Sequence, residues 1–454
     1  MLNESSTVQE LLAEIHVQKE KLIKEKKIKK TNPLPPITDG EKPFETPNGW
    51  KWVRLGELLY LVAGVSYKKN QISKSGIRLL RGGNIQTPNI LFADDDIFLP
   101  QDFWNEEQSV QEDDIIIVAS TGSETVIGKP GFARKAIPNT LIGAFLRICR
   151  PYSPQVADYL RMIFYSTYYR DYIRTIAKGA NINNIRQEYI YNFVIPLPPL
   201  SEQRRLVARI ESLFAKLDAA REKVQSVLDS HETRKAALLH AAFAGKLTAK
   251  WREENNKRAC YAEEPLKNFV KTQYGYTEKS SFDIAGPHYL RITDIQGETV
   301  DWNNVPNCSI DETNYQKYSL HPNDIVVART GATTGKSYMI GEDIDAVFAS
   351  YLIRVQITNI RLLPKFLYMF FQSQEYWSQI MELSAGIAQP GVNARKIQSM
   401  MICVPPLPEQ QEIVRILGRL LAREQRARQA AEETLAAIDR MKQSILARAF
   451  RGEL

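Results

Sequence analysis

Residues 195–214 read IPLPPLSEQRRLVARIESLF, and residues 403–421 read CVPPLPEQQEIVRILGRLL. Pro198, Pro199, Leu200, Glu202 and Gln203 return as Pro405, Pro406, Leu407, Glu409 and Gln410, an offset of 405 − 198 = 207. The offset persists to the end of the following segment, because AFAGKL at 242–247 returns as AFRGEL at 449–454. One unit is therefore present twice, and each copy ends in a long helix. In the first helix Leu206, Ile210, Leu213, Leu217, Ala220, Val224 and Val227 step by alternating four and three residues. Ile413, Leu417, Leu420, Ala427, Ala431, Ile438, Met441 and Ile445 keep the same seam in the second. That is a heptad pattern. Each helix is expected to run for about 45 residues, roughly 65–70 Å at 1.5 Å per residue. A lone helix cannot bury such a seam, so the spacing predicts an antiparallel coiled coil and a pseudo-twofold molecule. The helix starts are mechanical: the prolines stop the preceding strand, Ser201 can cap, and Glu202 suits the positive helix end.

Ahead of each helix lies a block of short strands and turns. DDIIIVASTGS from Asp113 is echoed by NDIVVARTGA from Asn323, and GNIQ from Gly83 by TDIQ from Thr293, both at an offset of 210. FLRI from Phe145 aligns with LIRV from Leu352 at 207. The apolar run 115–119 reads as a buried strand, with Gly122, Gly128 and Gly131 punctuating the stretch after it. Residues 156–176 read as a tyrosine-rich helix, with Tyr165, Tyr168, Tyr169 and Tyr172 assigned to core and subunit surface. At the N-terminus, Val8, Leu11, Leu12, Ile15, Leu22 and Ile23 predict a helix over 7–30, capped by Ser6 or Thr7. The linker TNPLPPITDGEKPFETPNG at 31–49 then favours an extended tether. The expected fold is mixed α/β (α+β), with two duplicated domains separated by two long antiparallel helices. The expected divisions are 1–45 for the N-terminal helix and linker, 46–199 and 251–405 for the domains, and 200–250 and 406–454 for the spacer helices.

Composition limits the function classes. The apolar content of 44% is that of a globular chain, and no run of about 18 apolar residues predicts a membrane span. MLNESSTVQELL lacks the charged start and apolar core of a signal peptide. Cys149, Cys260, Cys308 and Cys403 show no CxxC spacing, which fits reduced thiols in a cytoplasm and gives no cysteine zinc site. The five histidines include no HExxH pair, and His231 falls on the helix seam as a packing residue. The net charge of +7 and pI near 9.0 are compatible with a nucleic-acid partner. Much of the excess sits in KEKLIKEKKIKK at 19–30, which reads as a solvated helix face.

The order of these features resembles the specificity (S) subunit of a type I restriction–modification enzyme. The strings that carry the resemblance are the doubled PPLxEQ helix starts with their AFxGxL endings, TPNGWKWVRLGEL at 46–58, LLRGGNIQ at 79–86 and RITDIQ at 291–296. ELLAEIHVQKEKLIKEKKIKKTNPLPPI at 10–37 also resembles a segment found in this family. The resemblance covers 50–454. It implies two target-recognition domains, each reading one half of a split double-stranded DNA target. It also implies helices that act as spacer and dock two modification subunits. In that scheme S-adenosylmethionine belongs to the modification subunits, ATP and Mg to a restriction subunit, and this chain binds no cofactor or metal and has no chemistry of its own. A related assembly without a translocating restriction subunit is the alternative. The cellular place it implies is the cytoplasm.

GATTGKS at 331–337 follows an apolar strand, but a phosphate loop requires glycine where Thr330 stands, and TGSETVIGKPG at 121–131 lacks the motif too. A turn is the reading. A single-chain methyltransferase would carry Asn-Pro-Pro-Tyr or Asp-Pro-Pro-Tyr and GxGxxG, which are absent from the sequence. A purely structural coiled coil would not need two strand-rich blocks of this size. For DNA contact, Lys and Arg serve phosphate and guanine, and Asn and Gln serve adenine. The candidates in the first domain are Lys68, Lys69, Arg78, Arg81, Asn84, Lys178, Asn181, Asn183, Asn184 and Arg186. Those in the second are Arg291, Arg329, Thr330, Lys336, Gln389, Asn393, Arg395 and Lys396.

Overall fold

The computed structural model describes residues 7–177, 183–257, 262–384 and 391–454. The chain divides into two units, Met1–Lys223 with Thr434–Leu454, and Val224–Glu433.

In the first unit the apolar run becomes the strand Ile115–Val118, buried at every residue. It lies inside an antiparallel sheet ordered Leu59–Ala63, Leu146–Pro151, Ile115–Val118, Pro130–Phe132. The strand is entered through Asp113, whose φ of 68° makes a left-handed turn. Asp114 follows, fully buried, and is clamped by Arg150 at 2.7 and 2.8 Å. A second sheet sets Ile77–Leu80 between the parallel strand Thr140–Ile142 and the antiparallel strand Ile97–Leu99. The expected tyrosine-rich helix is two helices, Ala157–Tyr165 and Thr167–Ile176, with Ser166 capping the second. Tyr159 and Tyr169 are buried, while the Tyr168 and Tyr172 hydroxyls donate to the carbonyls of Val194 and Tyr189.

The N-terminal helix is Val8–Lys24, shorter than the expected 7–30, because Lys26 turns left-handed at φ 58° and ends it. Thr7 and Glu10 form a capping box, and Val8, Leu11 and Ile15 enter the core of the first unit. The proline-rich segment is no free tether. The buried Arg54 guanidinium donates to the carbonyls of Pro35 and Pro36 at 2.6 and 3.0 Å and to that of Asn192 at 2.7 Å. One side chain thus ties the linker to the domain.

The second unit repeats the topology. Its sheet is ordered Val270–Tyr274, Leu352–Ile357, Ile325–Ala328, Ser337–Met339, again antiparallel. His288–Leu290 lies between the parallel strand Ala346–Phe348 and the antiparallel strand Asn307–Cys308. Asn323 is left-handed like Asp113, and Asp324 is buried like Asp114. Its clamp is Arg354, which pairs with Val326 in the ladder, whereas Arg150 lies two residues further along the matching strand, on the same face. The ladders also correct the sequence offset: Leu146 opposes Val118 and Leu352 opposes Ala328, so Phe145 matches Tyr351 and not Leu352.

The second long helix is continuous over Leu407–Phe450. The first is not a single element: Leu200–Asp229 stops at Ser230 and His231–Phe243 resumes. The Arg234 guanidinium donates to the Val227 carbonyl at 3.0 Å across the interruption. Each unit contains an antiparallel helix pair. In the first, Arg205 donates to Leu454 O at 2.8 Å, Lys442 pairs with Asp218, and Arg221 with Asp439. In the second, Arg234 pairs with Glu424 at 2.8 Å and the buried Arg252 with Glu409 at 2.6 Å. Leu206, Ile210, Ile413, Leu417 and Ile438 are buried as the seam requires. Leu213, Leu217, Val224, Leu420 and Ile445 are half-buried, and Ala427 and Met441 are exposed. The apolar contact is deepest where the helices meet the domain cores, with Leu446, Ala449 and Phe450 joining Leu206, Val207 and Ile210 in the first. The helix starts owe their shape to the glutamine. Gln203 Nε2 donates to Pro198 O at 2.8 Å, and Gln410 Nε2 to Pro405 O at 2.7 Å. Ser201 lies inside the helix that begins at Leu200.

Candidate nucleic-acid interface

Where the buried central strand leaves the sheet, three segments of each unit converge. In the first unit, Ser120–Thr121 pairs with Asn183–Asn184, and the Phe145 carbonyl accepts the amides of Ala119 and Ser120 at 2.8 and 3.1 Å. Ile185 N donates to Ala119 O at 2.8 Å, and the buried Ile185 pins the segment from beneath. In the second unit, Thr330 bridges Gly391, Arg329 N donates to Tyr351 O at 3.0 Å, and Val392 N donates to Arg329 O at 2.9 Å. Val392 is buried as Ile185 is. The backbone frame is shared, but the side chains differ: Ala119, Asn184 and Arg186 in one stand where Arg329, Gly391 and Asn393 stand in the other.

These junctions gather several of the sequence candidates. Asn184 and Arg186 are exposed there, and Asn183 sits in the same short strand. Asn393 and Arg395 are exposed, and Asn393 also caps the helix Ala394–Ser399. Arg329 stacks on the Tyr274 ring at 5.0 Å, beside Thr330. Lys336 is exposed on the hairpin next to them, its carbonyl accepting Ala328 N at 2.8 Å. Lys68 and Lys69 are exposed shortly after Val65, which bridges Gly143. Lys396 directs its ammonium to the Leu383 carbonyl at 2.5 Å. Lys178, Asn181 and Gln389 lie outside the described residues.

Other candidates are engaged internally. Asn84 is buried: it accepts the Arg81 amide at 2.7 Å and donates to Leu91 O and Asp96 at 2.9 and 2.7 Å. It closes a turn, and its side chain cannot reach a base. Arg78 pairs with Asp96 and lies 4.3 Å from the Phe92 ring centroid. Arg81 pairs with Asp95 at 2.8 Å. Arg291 forks onto Asp294 at 2.7 and 3.0 Å, and this hydrogen-bonded carboxylate holds its guanidinium above the ordinary value. A guanidinium already matched to a carboxylate must break that pair to bind phosphate. The GATTGKS segment forms a tight turn between Ile325–Ala328 and Ser337–Met339, with Gly331 and Gly335 at φ 75° and 89°. A strand enters and a strand leaves, so it lacks the helix N-terminus that a phosphate loop uses.

Residue-type reasoning missed Phe145 and Tyr351, which stand exposed at the two junctions. Their only sequence signal was a shared position before the repeated strand, and the 207 offset hid it by one residue. Among the described residues no helix is long and apolar enough to cross a membrane.

Comparison with known proteins identifies the family and the fold. Residues 47–228 and 265–433 match the family described as the type I restriction modification DNA specificity domain. The chain is 28% identical over 420 residues to the specificity subunit of the type I restriction enzyme EcoKI of Escherichia coli K12, covering 90% of each. It is 28% identical over 418 residues to the StySPI specificity subunit of Salmonella potsdam, again covering 90% of each. Its fold is similar to a chain in a structure describing complex assembly and conformational transition of the type I R-M system, with TM-score 0.68 and 20% identity, covering 91% of this chain and all of that one. It is also similar to the HsdS subunit of Thermoanaerobacter tengcongensis, with TM-score 0.54, 20% identity and the same coverage.

Proposed function

The chain belongs to the type I restriction–modification DNA specificity family, and we propose that each of its two units reads one half of a split duplex target while the helices dock modification subunits. The observation that carries this reading is the duplicated junction. A shared backbone frame bears unlike side chains, Ala119, Asn184 and Arg186 against Arg329, Gly391 and Asn393. A repeated frame with divergent side chains suits two half-sites of different sequence. Phosphate contacts then position each unit, and the amide and guanidinium groups specify bases.

This chain supplies recognition, and the methyl group and its S-adenosylmethionine belong to the modification subunits. ATP and Mg belong to a restriction subunit where one joins the assembly. The complex works in the cytoplasm, where its DNA lies. The test exchanges 46–196 for the matching block of a relative, and separately 259–404, and maps methylated adenines. Each exchange is expected to change one half-site and leave the other. A change in both halves from either exchange, or an unbroken target, would refute the two-reader assignment.

A further inference from the structure

Each junction carries one large aromatic side chain in solvent, Phe145 at 69% exposure and Tyr351 at 61%. The two occupy the same place. Each precedes the strand that pairs with the central one, and each offers its carbonyl to the residue just past that central strand, Ala119 or Arg329. Neither turn is loose. A Cβ on Gly64 would lie 2.1 Å from Gly143 O, and one on Gly275 would lie 2.2 Å from Ala349 O. Only glycine permits this approach, so the backbone beneath each ring is clamped between two strands. Keeping a large aromatic side chain in water on a fixed stretch of backbone is unfavourable, and its recurrence at one topological position points to something that covers it. The surroundings identify the occupant. The backbone segments that meet beside Phe145 carry Ser120, Thr121, Asn184 and Arg186, and those that meet beside Tyr351 carry Arg329, Thr330 and Asn393, with Arg395 on the helix that follows. An exposed ring on a junction that carries amides, hydroxyls and guanidinium groups suits a base within an anionic backbone, and poorly suits an apolar protein face.

We propose that Phe145 and Tyr351 are the base-contacting aromatics of the two half-sites, each pressing its ring against a base by stacking or as a wedge at a base step. The proposal rests on the reading that the two units recognise DNA. The neighbouring polar groups hold the backbone and base edges while the ring supplies contact area that tolerates sequence. A side chain so exposed contributes little to folding, so its removal separates binding from stability.

The test uses the full chain assembled with its modification subunits. Duplexes selected from a randomised library by the wild-type complex provide the probe. Phe145→Ala and Tyr351→Ala should each weaken binding of the selected duplex about tenfold or more. Phe145→Tyr and Tyr351→Phe should stay within a few-fold of wild type, and all four should melt as the wild type does. With 2-aminopurine in one half-site, the fluorescence change on binding should be lost with one alanine variant and kept with the other. Alanine variants that bind as tightly as wild type would overturn the proposal, as would variants that fail only by releasing the modification subunits. A wild-type complex that selects no sequence would instead overturn DNA recognition itself, and the aromatic proposal with it.

Discussion

Replacing Arg150 with Met tests what holds the first unit's central strand in place. The guanidinium side chain is 8% exposed, and the Asp114 carboxylate it clamps is 0% exposed. It donates to both Asp114 oxygens at 2.7 and 2.8 Å, to Ser109 O at 2.7 Å and to Glu107 O at 3.0 Å. Methionine fills similar volume but leaves Asp114 with the Gln111 amide at 2.7 Å. Stranding a buried charge in this way costs about 3–5 kcal/mol. The matching change Arg354→Met should cost less, about 1–3 kcal/mol. There the ion pair is 3.4 Å long, and Asp324 keeps Gln356 Nε2 at 2.9 Å and the His321 amide at 3.1 Å. Burial raises the Asp114 carboxyl above its ordinary value even with Arg150 pulling it down. A carboxyl whose folded pKa exceeds its unfolded one favours folding when protonated, and loss of Arg150 raises Asp114 further, so the Arg150→Met deficit should shrink as pH falls from the variant's higher value towards the wild-type one. Urea unfolding followed by hydrogen exchange, read separately on Ile115–Val118 and Ile325–Ala328, distinguishes the units. An Arg150→Met loss below about 1 kcal/mol at neutral pH, or a deficit that grows on acidification, would refute the argument. Asp114→Asn in the same chain should recover most of the loss, because it removes the stranded charge.

Ile210→Asp and Leu417→Asp place charge at fully buried seam positions and should cost several kcal/mol, lowering the melting temperature and the recovery of modification subunits on co-purification. Leu213→Asp and Leu420→Asp, at half-buried positions, should cost less, and Met441→Asp, at 53% exposure, should stay within about 0.5 kcal/mol. Gly64→Ala and Gly275→Ala push a methyl group into a backbone carbonyl, so each should weaken its own half-site and destabilise its own unit, read by half-site methylation mapping and hydrogen exchange. The pure chain, mixed with DNA and labelled S-adenosylmethionine, should transfer no methyl group; incorporation above background would place catalysis in this chain.

Much of the architecture was legible because its signals are local and repeated. The 115–119 run demanded a buried strand, and PPLxEQ demanded a stop followed by a helix start. The role of Gln203 and Gln410 in closing that stop was not legible, since a glutamine in a first turn reads as an ordinary helix residue. The interruption at Ser230 carries neither glycine nor proline; a side chain, Arg234, takes up the opened carbonyl, and composition does not announce that. The heptad spacing of Met441 was correct while its burial was not, because period specifies a face but not what covers it. The candidate site was half legible. Polar residue types named Asn184, Arg186, Arg329 and Asn393, which the fold brings to the two junctions, but could not single out Arg78 and Arg291, whose guanidinium groups are matched to carboxylates. Phe145 and Tyr351 were lost to a single-residue slip, which only the strand register resolves.

The first unit is completed by Thr434–Leu454, and the Phe450 ring meets Tyr159 edge-on at 6.1 Å within its core. That has a consequence for biosynthesis. The unit made first cannot close its core when its own 223 residues have left the ribosome, whereas the second is assembled from one uninterrupted stretch. At 5–20 residues per second the intervening Val224–Glu433 takes roughly 10–40 s to make. Through that interval Leu206, Val207 and Ile210 lack the partners that Leu446, Ala449 and Phe450 bring. A nascent chain stalled or cut before Thr434 therefore has its earlier-made half unfinished and its later-made half whole, the reverse of what order of synthesis alone would give.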